Sequence, residues 1–225
     1  MTSSSQDWRR YWSDRTFDPS AGLELGHLLA AGGTGCAAGG VGEDAWRTFV
    51  ADVADILEIG PDTSVFDVGC GAGAFLAPLH GIGCRVGGID LSPALVAGAR
   101  AAMPGADVSV GDASALDPAD PWDVVLSMGA FGCFPDHAYA RGVLARMAAK
   151  ATRAVAVLDV PDEADRAEAL GAGGGATGEP EPLFYPRGWF LRQLAEIGLT
   201  AVQIGDQRIA GYAAGRFRFN VFGKV

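Results

Sequence analysis

From Ser64 onward the chain alternates between two hydrophobic rhythms. Short, nearly continuous apolar runs, SVFDVG, CRVGGID, DVSVGD, DVVLSMG and AVAVLDV, have the length and β-branched content of buried strands. Between them lie segments whose apolar residues recur every three to four positions. These are AGAFLAPLHG, a stretch that opens at Ser92 as N-cap with Pro93 at its first position and stops at Met103-Pro104-Gly105, and one over about 135–150. Ahead of the first strand a helical pattern starts at Glu43. It places Trp46, Phe49, Val50, Val53, Ile56 and Leu57 on one face and ends at Gly60-Pro61. Apolar strands separated by helices predict a mostly parallel sheet covered on both faces.

The C-terminal part changes rhythm. PRGWFLRQLAEIG reads as a helix, while LTAVQIGDQ and RFRFNVFGKV read as strands joined by a short glycine-containing turn with no room for a crossover helix. An antiparallel pair at one sheet edge follows. In the last strand Phe217, Phe219 and Val221 alternate with Arg216, Arg218 and Asn220, the pattern of a half-buried edge strand, so its basic and aromatic content needs no RNA to explain it. Residues 161–186, rich in Gly, Pro and acidic residues, make a long excursion from a strand end, where open α/β sheets bind ligands; a substrate-side lid and a disordered insertion both fit. Residues 1–41 combine an aromatic, charged opening, DWRRYWSDRTFDPS, with the Gly- and Ala-rich LLAAGGTGCAAGGVG. They read as a mobile cap or lid over a single domain formed by residues 42–225.

Charge and composition narrow the partners. A net charge of -10 argues against sequence-independent nucleic-acid binding and leaves a small-molecule substrate as the expectation. No run of about 18 apolar residues is present, and the opening has no apolar core of the signal-peptide kind, so a cytoplasmic protein without a membrane partner is expected. Cys36, Cys70, Cys84 and Cys133 form no CxxC pair and no metal-like spacing, which predicts reduced thiols and no metal. Nothing in the pattern speaks to oligomeric state.

The candidate chemistry lies at the strand ends. Gly69, Gly71 and Gly73 follow the first strand and open a helix, where a ligand approaches the main chain closely and amide N–H groups face an anionic part. Asp90 ends the next strand about twenty residues on, where a carboxylate accepts from ribose hydroxyls, and Asp112 ends the third. The three together span a nucleoside-sized ligand. GCGAGA also satisfies the dinucleotide pattern G-x-G-x-x-G/A, so an NAD-dependent oxidoreductase is an alternative, disfavoured by the absence of a second domain and of a hydride-site constellation.

With VFDVGCGAG, GGIDLS and VGDASAL in this order, the chain resembles the class I S-adenosylmethionine-dependent methyltransferases over roughly 43–225. The ending DQRIAGYAAGRFRFNV, preceded by FYPRGWF, and the aromatic opening resemble a subgroup of small bacterial members whose substrates are mostly unassigned. The resemblance implies a Rossmann-like α/β fold with a seven-stranded sheet, an antiparallel C-terminal hairpin and an N-terminal helical cap. It also implies S-adenosyl-L-methionine as cofactor and methyl transfer to a small molecule, with O-methylation slightly favoured. A protein that keeps this fold without transferring methyl, as a pericyclic or isomerising catalyst or a partner subunit, is the alternative. By the same resemblance Asp67 and the Gly69 carbonyl face the cofactor ammonium, and backbone N–H groups from Gly71 to Gly73, beside Cys70, face its carboxylate. Asp90 holds the ribose with Leu91 beside the adenine, Asp112 and Ala113 meet the adenine edge, and Ser127, Met128 and Gly129 border the reacting methyl. For a hydroxyl acceptor a base would help; His137 at the cleft end of the fourth strand is the first candidate and His27 the second, whereas His80 reads as surface. Tyr11, Tyr185 and Tyr212 are candidates for orienting hydroxyls. Trp8, Trp12, Phe131 and Phe134 are candidates for pocket walls, with core packing the stronger reading of Phe131.

Overall fold

The apolar runs fold as neighbouring strands whose side chains alternate between two cores. The computed structural model describes residues 3–32, 40–172 and 180–225. Most of the Gly- and Ala-rich stretch, with Cys36, and the middle of the 161–186 excursion lie outside the described residues. Strands β1 (Ser64–Val68), β2 (Arg85–Asp90), β3 (Asp107–Val110), β4 (Trp122–Met128) and β5 (Ala151–Pro161) are parallel. With β6 (Thr200–Asp206) and β7 (Arg218–Lys224) they make a seven-stranded sheet of order β3-β2-β1-β4-β5-β7-β6, in which β7 runs antiparallel to both neighbours. This is the mostly parallel sheet with an antiparallel C-terminal pair that the sequence predicts.

Helices α3 (Glu43–Ile56), α4 (Leu76–Gly81) and α5 (Pro93–Ala102) cover one face, where Val65 and Val124 join Trp46, Phe49 and Leu79. On the other face α6 (His137–Lys150) and α8 (Arg187–Glu196) bury Leu144, Met147 and Phe190 against Phe66 and Val125. Neighbouring residues of one strand thus point to opposite cores, which is why these strands read as continuous apolar runs. The predicted cap of α5 forms: Ser92 Oγ accepts from the Leu95 N–H at 3.4 Å, and Pro93 fills the first position, whose N–H has no intrahelical partner. A short helix α7 (Arg166–Gly171) follows β5, and no helix among the described residues is long and apolar enough to cross a membrane.

Four local expectations change. The helix after the glycine loop begins at Leu76, because residues 69–74 are spent on the turn. Ile56 is 47% exposed, and Ala54 takes its place on the buried face of α3. The connection from β6 to β7 occupies residues 207–217 rather than a tight turn, and β7 lies inside the sheet between β5 and β6, so Phe219, Asn220, Val221 and Phe222 are all buried. A strand paired on both sides and covered on both faces has no solvent face, and the Arg/Phe alternation therefore stops at Phe219. Finally, the N-terminal segment is not set apart from the core. Helix α1 (Ser3–Ser13) lies over the sheet's C-terminal end, but Leu25 and Leu29 of α2 (Leu25–Ala31), together with Val41, are buried in the α3 core, and Leu28 packs on Ala72 and Leu95.

Candidate active site

Parallel strands all end on the same side, and here those ends open onto a cavity of about 940 Å³. Asp67, Asp90 and Asp112 come to it from β1, β2 and the residues after β3, three adjacent strands, so that they lie in a row along one wall.

Asp67 is 2% exposed, and its Oδ1 has no hydrogen-bond partner among the described residues. Burial, and then the charge of Asp90, push its carboxyl well above the usual range, against the N–H that Met128 donates to it. A buried oxygen of this kind calls for a donor or a cation from a ligand. Asp90 accepts from the Gly71 N–H through Oδ2 and from the Ser92 N–H through Oδ1, both at 2.8 Å; burial raises its carboxyl and these two bonds partly offset the rise. A carboxylate has about four lone-pair sites, so two remain for hydroxyls. Asp112 caps the turn that follows β3. Its Oδ1 takes Ser114 Oγ at 2.6 Å and Tyr139 Oη at 2.5 Å, and its Oδ2 takes Arg9 Nη2 at 2.5 Å. Burial raises its pKa, but the hydrogen bonds from Ser114, Tyr139 and Arg9 outweigh burial and hold it down at about 2, while the Tyr139 phenol is pushed up to about 12 by burial and by Asp112.

Gly69, Cys70, Gly71, Leu91, Ala113, Met128 and Gly129 also line the cavity, where the sequence reading puts them. Gly73 and Ser127 do not. Gly73 has φ of 86°, its N–H donates to the Cys70 carbonyl at 2.9 Å, and a Cβ there would collide with Met103 of the α5 end; its smallness serves helix packing. The amide of Gly71 is likewise spent, on Asp90, so the expected anion cradle from Gly71 to Gly73 loses two of its donors to the loop's own bonds. Ser127 is wholly buried and donates to the Val68 carbonyl at 2.7 Å, tying β4 to β1.

Neither histidine candidate reaches the cavity wall. The residues on either side of His137, Asp136 and Ala138, line it, but the His137 ring turns the other way, with Nε2 3.0 Å from the Phe184 carbonyl and ring contacts to Tyr185 and Trp189 at 4.9 and 5.7 Å. His27 packs edge-on against Phe17 at 5.1 Å. Substituting His137 by alanine should therefore lower the melting temperature through lost packing. It should leave kcat within a few-fold of the native value, where removal of a base would lower it about 10²–10⁴-fold; a loss on that scale with normal stability would restore His137 to the chemistry.

Tyr185 donates to the Phe131 carbonyl inside the core, and Tyr11 accepts from Arg15. Trp8, Trp12, Phe134 and Tyr212 do line the cavity, whereas Phe131 is fully buried. Helix α1 spans the opening: Trp8 Nε1 donates to the Glu181 carbonyl at 3.1 Å, Trp12 Nε1 to Cys133 Sγ at 3.4 Å, and Arg9 pairs with Asp112. Five polar residues that sequence reasoning missed join the wall, Arg9, Asp136, Tyr139, Asp159 and Arg218. Only Asp159 carried a signal, as an acidic residue in the otherwise apolar AVAVLDV.

Comparison with known proteins agrees with this geometry. Residues 65–163, which contain β1 to β5 and the three aspartates, match the family profile described as a methyltransferase domain. This segment is a methyltransferase domain. The methyltransferase domain is 36% identical over 75 residues to trans-aconitate 2-methyltransferase of Escherichia coli O139:H28, a match that covers 32% of this chain and 30% of that one. The chain thus spans about a third of the length of the curated relatives it matches. Among solved structures, magnesium protoporphyrin IX methyltransferase of Synechocystis PCC 6803 with bound SAM superposes with a TM-score of 0.65 at 16% identity, over 100% of this chain and 98% of that one. A SAM-bound amino pentose methyltransferase of Micromonospora echinaspora does so with 0.61 at 20% identity, over 80% and 91%. Both share this fold.

Proposed function

We propose that the protein transfers the methyl group of S-adenosylmethionine to a small-molecule acceptor, with a hydroxyl the favoured acceptor. The observation that carries this reading is Asp67 Oδ1, which has no partner among the described residues and is buried at one end of a row of three carboxylates. The residues fit the cofactor. Asp67 would hold its ammonium, Asp90 its ribose hydroxyls through the two lone pairs left over, and Asp112 with the Ala113 N–H its adenine edge. When bound, it supplies a methyl on a positively charged sulfur that leaves as a neutral thioether, keeping both electrons of the broken bond. The protein then has to align the acceptor and exclude water. Helix α1, laid over the opening by Trp8, Arg9 and Trp12, does the second.

Calorimetry tests this. S-adenosylhomocysteine, which keeps the ammonium and the nucleoside, should bind, and NAD should not. Burial and the charge of Asp90 raise Asp67 above the ordinary carboxylate value, and only its ionised form holds a cation. Binding should therefore release protons, and affinity should increase as pH rises through the folded value. Heats compared in buffers of different ionisation enthalpy read this directly. Micromolar NAD binding, or no binding of S-adenosylhomocysteine, would overturn the cofactor reading.

A further inference from the structure

The cofactor reading uses the ends of β1, β2 and β3; of the two other carboxylates on the cavity wall, Asp136 caps α6 by accepting from the Tyr139 N–H at 2.8 Å, and Asp159 is left without a part to play. The apolar run of β5 is broken at Asp159, which has φ of 61° and is 3% exposed. It sits where β5 carries one more residue than β7, between the pairs Val157 with Val221 and Val160 with Phe219. A bulge of this kind re-aims a side chain, here onto the cavity. Left-handed backbone at a non-glycine residue persists only when its surroundings hold it, and here they do. The Asp159 N–H donates to Asn220 Oδ1 at 2.9 Å, Gln207 Nε2 donates to Asp159 Oδ1 at 3.3 Å, and Tyr212 Oη and Arg218 Nη1 donate to Oδ2 at 3.2 and 3.1 Å. Asn220 Nδ2 in turn fixes Gln207 Oε1 at 3.0 Å.

Among the described residues three donors reach this group of about four lone-pair sites, which leaves one open. Its location is informative. Gly129, at the end of β4, has φ of 77°, its N–H donates to the Leu158 carbonyl, and a Cβ placed on it would stand 3.8 Å from Asp159 Oδ2. The carboxylate therefore borders the end of β4, the strand that separates β5 from β1 and its Asp67. Trp46, Phe75 and Leu28 add apolar wall to the same cavity.

Resting on the methyl-transfer reading above, we propose that Asp159 is the acceptor-binding residue of this protein, its open lone pair taking a hydrogen bond from the O–H or N–H of the group to be methylated. Tyr212, Arg218 and Gln207 are the positioning residues that hold it. An acceptor bound in this way directs its own lone pair away from Asp159, and the proton it sheds on methylation has Asp159 as its nearest acceptor. The substrate class that follows is a small, largely apolar molecule with a hydroxyl or amine. A carboxylate acceptor brings no hydrogen to this lone pair and adds a negative charge beside it.

Sinefungin, the cofactor analogue with an amine-bearing carbon in place of the methylated sulfur, places N–H donors at the transfer point and serves as the probe. By calorimetry the native protein should bind it at least about 10-fold more tightly than S-adenosylhomocysteine, the scale of a hydrogen bond to a charged group. Asp159→Asn should bring the two affinities within about 2-fold while leaving that for S-adenosylhomocysteine unchanged; asparagine tolerates the left-handed backbone, so the bulge survives. Tyr212→Phe, which keeps the carboxylate, should retain most of the preference. An unchanged preference in Asp159→Asn, or no preference in the native protein while S-adenosylhomocysteine binds, would overturn the proposal. Failure of the native protein to bind either compound would strike the cofactor reading on which the proposal rests. Products of turnover should be methyl ethers or methylamines; a methyl ester would overturn the acceptor class.

Discussion

Replacement of Gly73 by valine is expected to destabilise the protein by about 2–5 kcal/mol, the sum of roughly 1–2 for left-handed backbone and roughly 1–3 for overpacking. Both causes are visible. The residue has φ of 86°, which a β-branched side chain does not adopt without strain, and its missing Cβ is the space that Met103 Cε occupies, with Ala99 Cβ 3.4 Å from the same point. Gly71, two residues earlier, differs: a Cβ there would meet only Leu95 Cδ1 at 4.0 Å. The glycine loop thus joins one residue that faces the cavity to one that lets α5 close on the sheet. Urea titration of Gly73→Val measures the loss. A change under about 1 kcal/mol would show that Met103 yields and that the contact is soft.

Substituting Asp90 by alanine should weaken S-adenosylhomocysteine binding by about 1.5–3 kcal/mol, or roughly 10- to 150-fold, the range for hydrogen bonds to a charged group. The effect has two parts. The carboxylate is lost to the ligand, and the Gly71 and Ser92 amides, each held to it at 2.8 Å, lose the acceptor that joins the glycine loop to the start of α5. Calorimetry gives the affinity, and the thermal shift on adding ligand gives an independent check on the folded protein. Native affinity in the variant would remove Asp90 from the binding site.

The two substitutions separate what is local from what is not. The apolar runs and period-3.6 patterns of residues 43–160 were enough for the parallel strands, the helices between them and the strand-end positions of Asp90 and Asp112, because each of these is a property of one segment and its end. Parallel strands must finish on one side, so polar residues that end successive strands meet without further information.

What the pattern could not reach depends on contacts between distant segments. Whether His137 faces the cavity was decided by Phe184, Tyr185 and Trp189, about fifty residues away, which hold its ring on the other side of α6. The placement of β7 between β5 and β6 buried Asn220 and brought Arg218 to Asp159, a meeting of residues 59 apart in the chain. The sequence by itself determined the parallel strands, their helices and the strand-end aspartates Asp90 and Asp112, since apolar runs and strand ends are written locally, while Asp67 was marked only by the resemblance to a methyltransferase motif. Only the tertiary structure decided the Asp159 cluster, the direction of His137 and the course of α1 over the opening, because a side chain's partners are set by packing across the fold rather than by its neighbours in sequence.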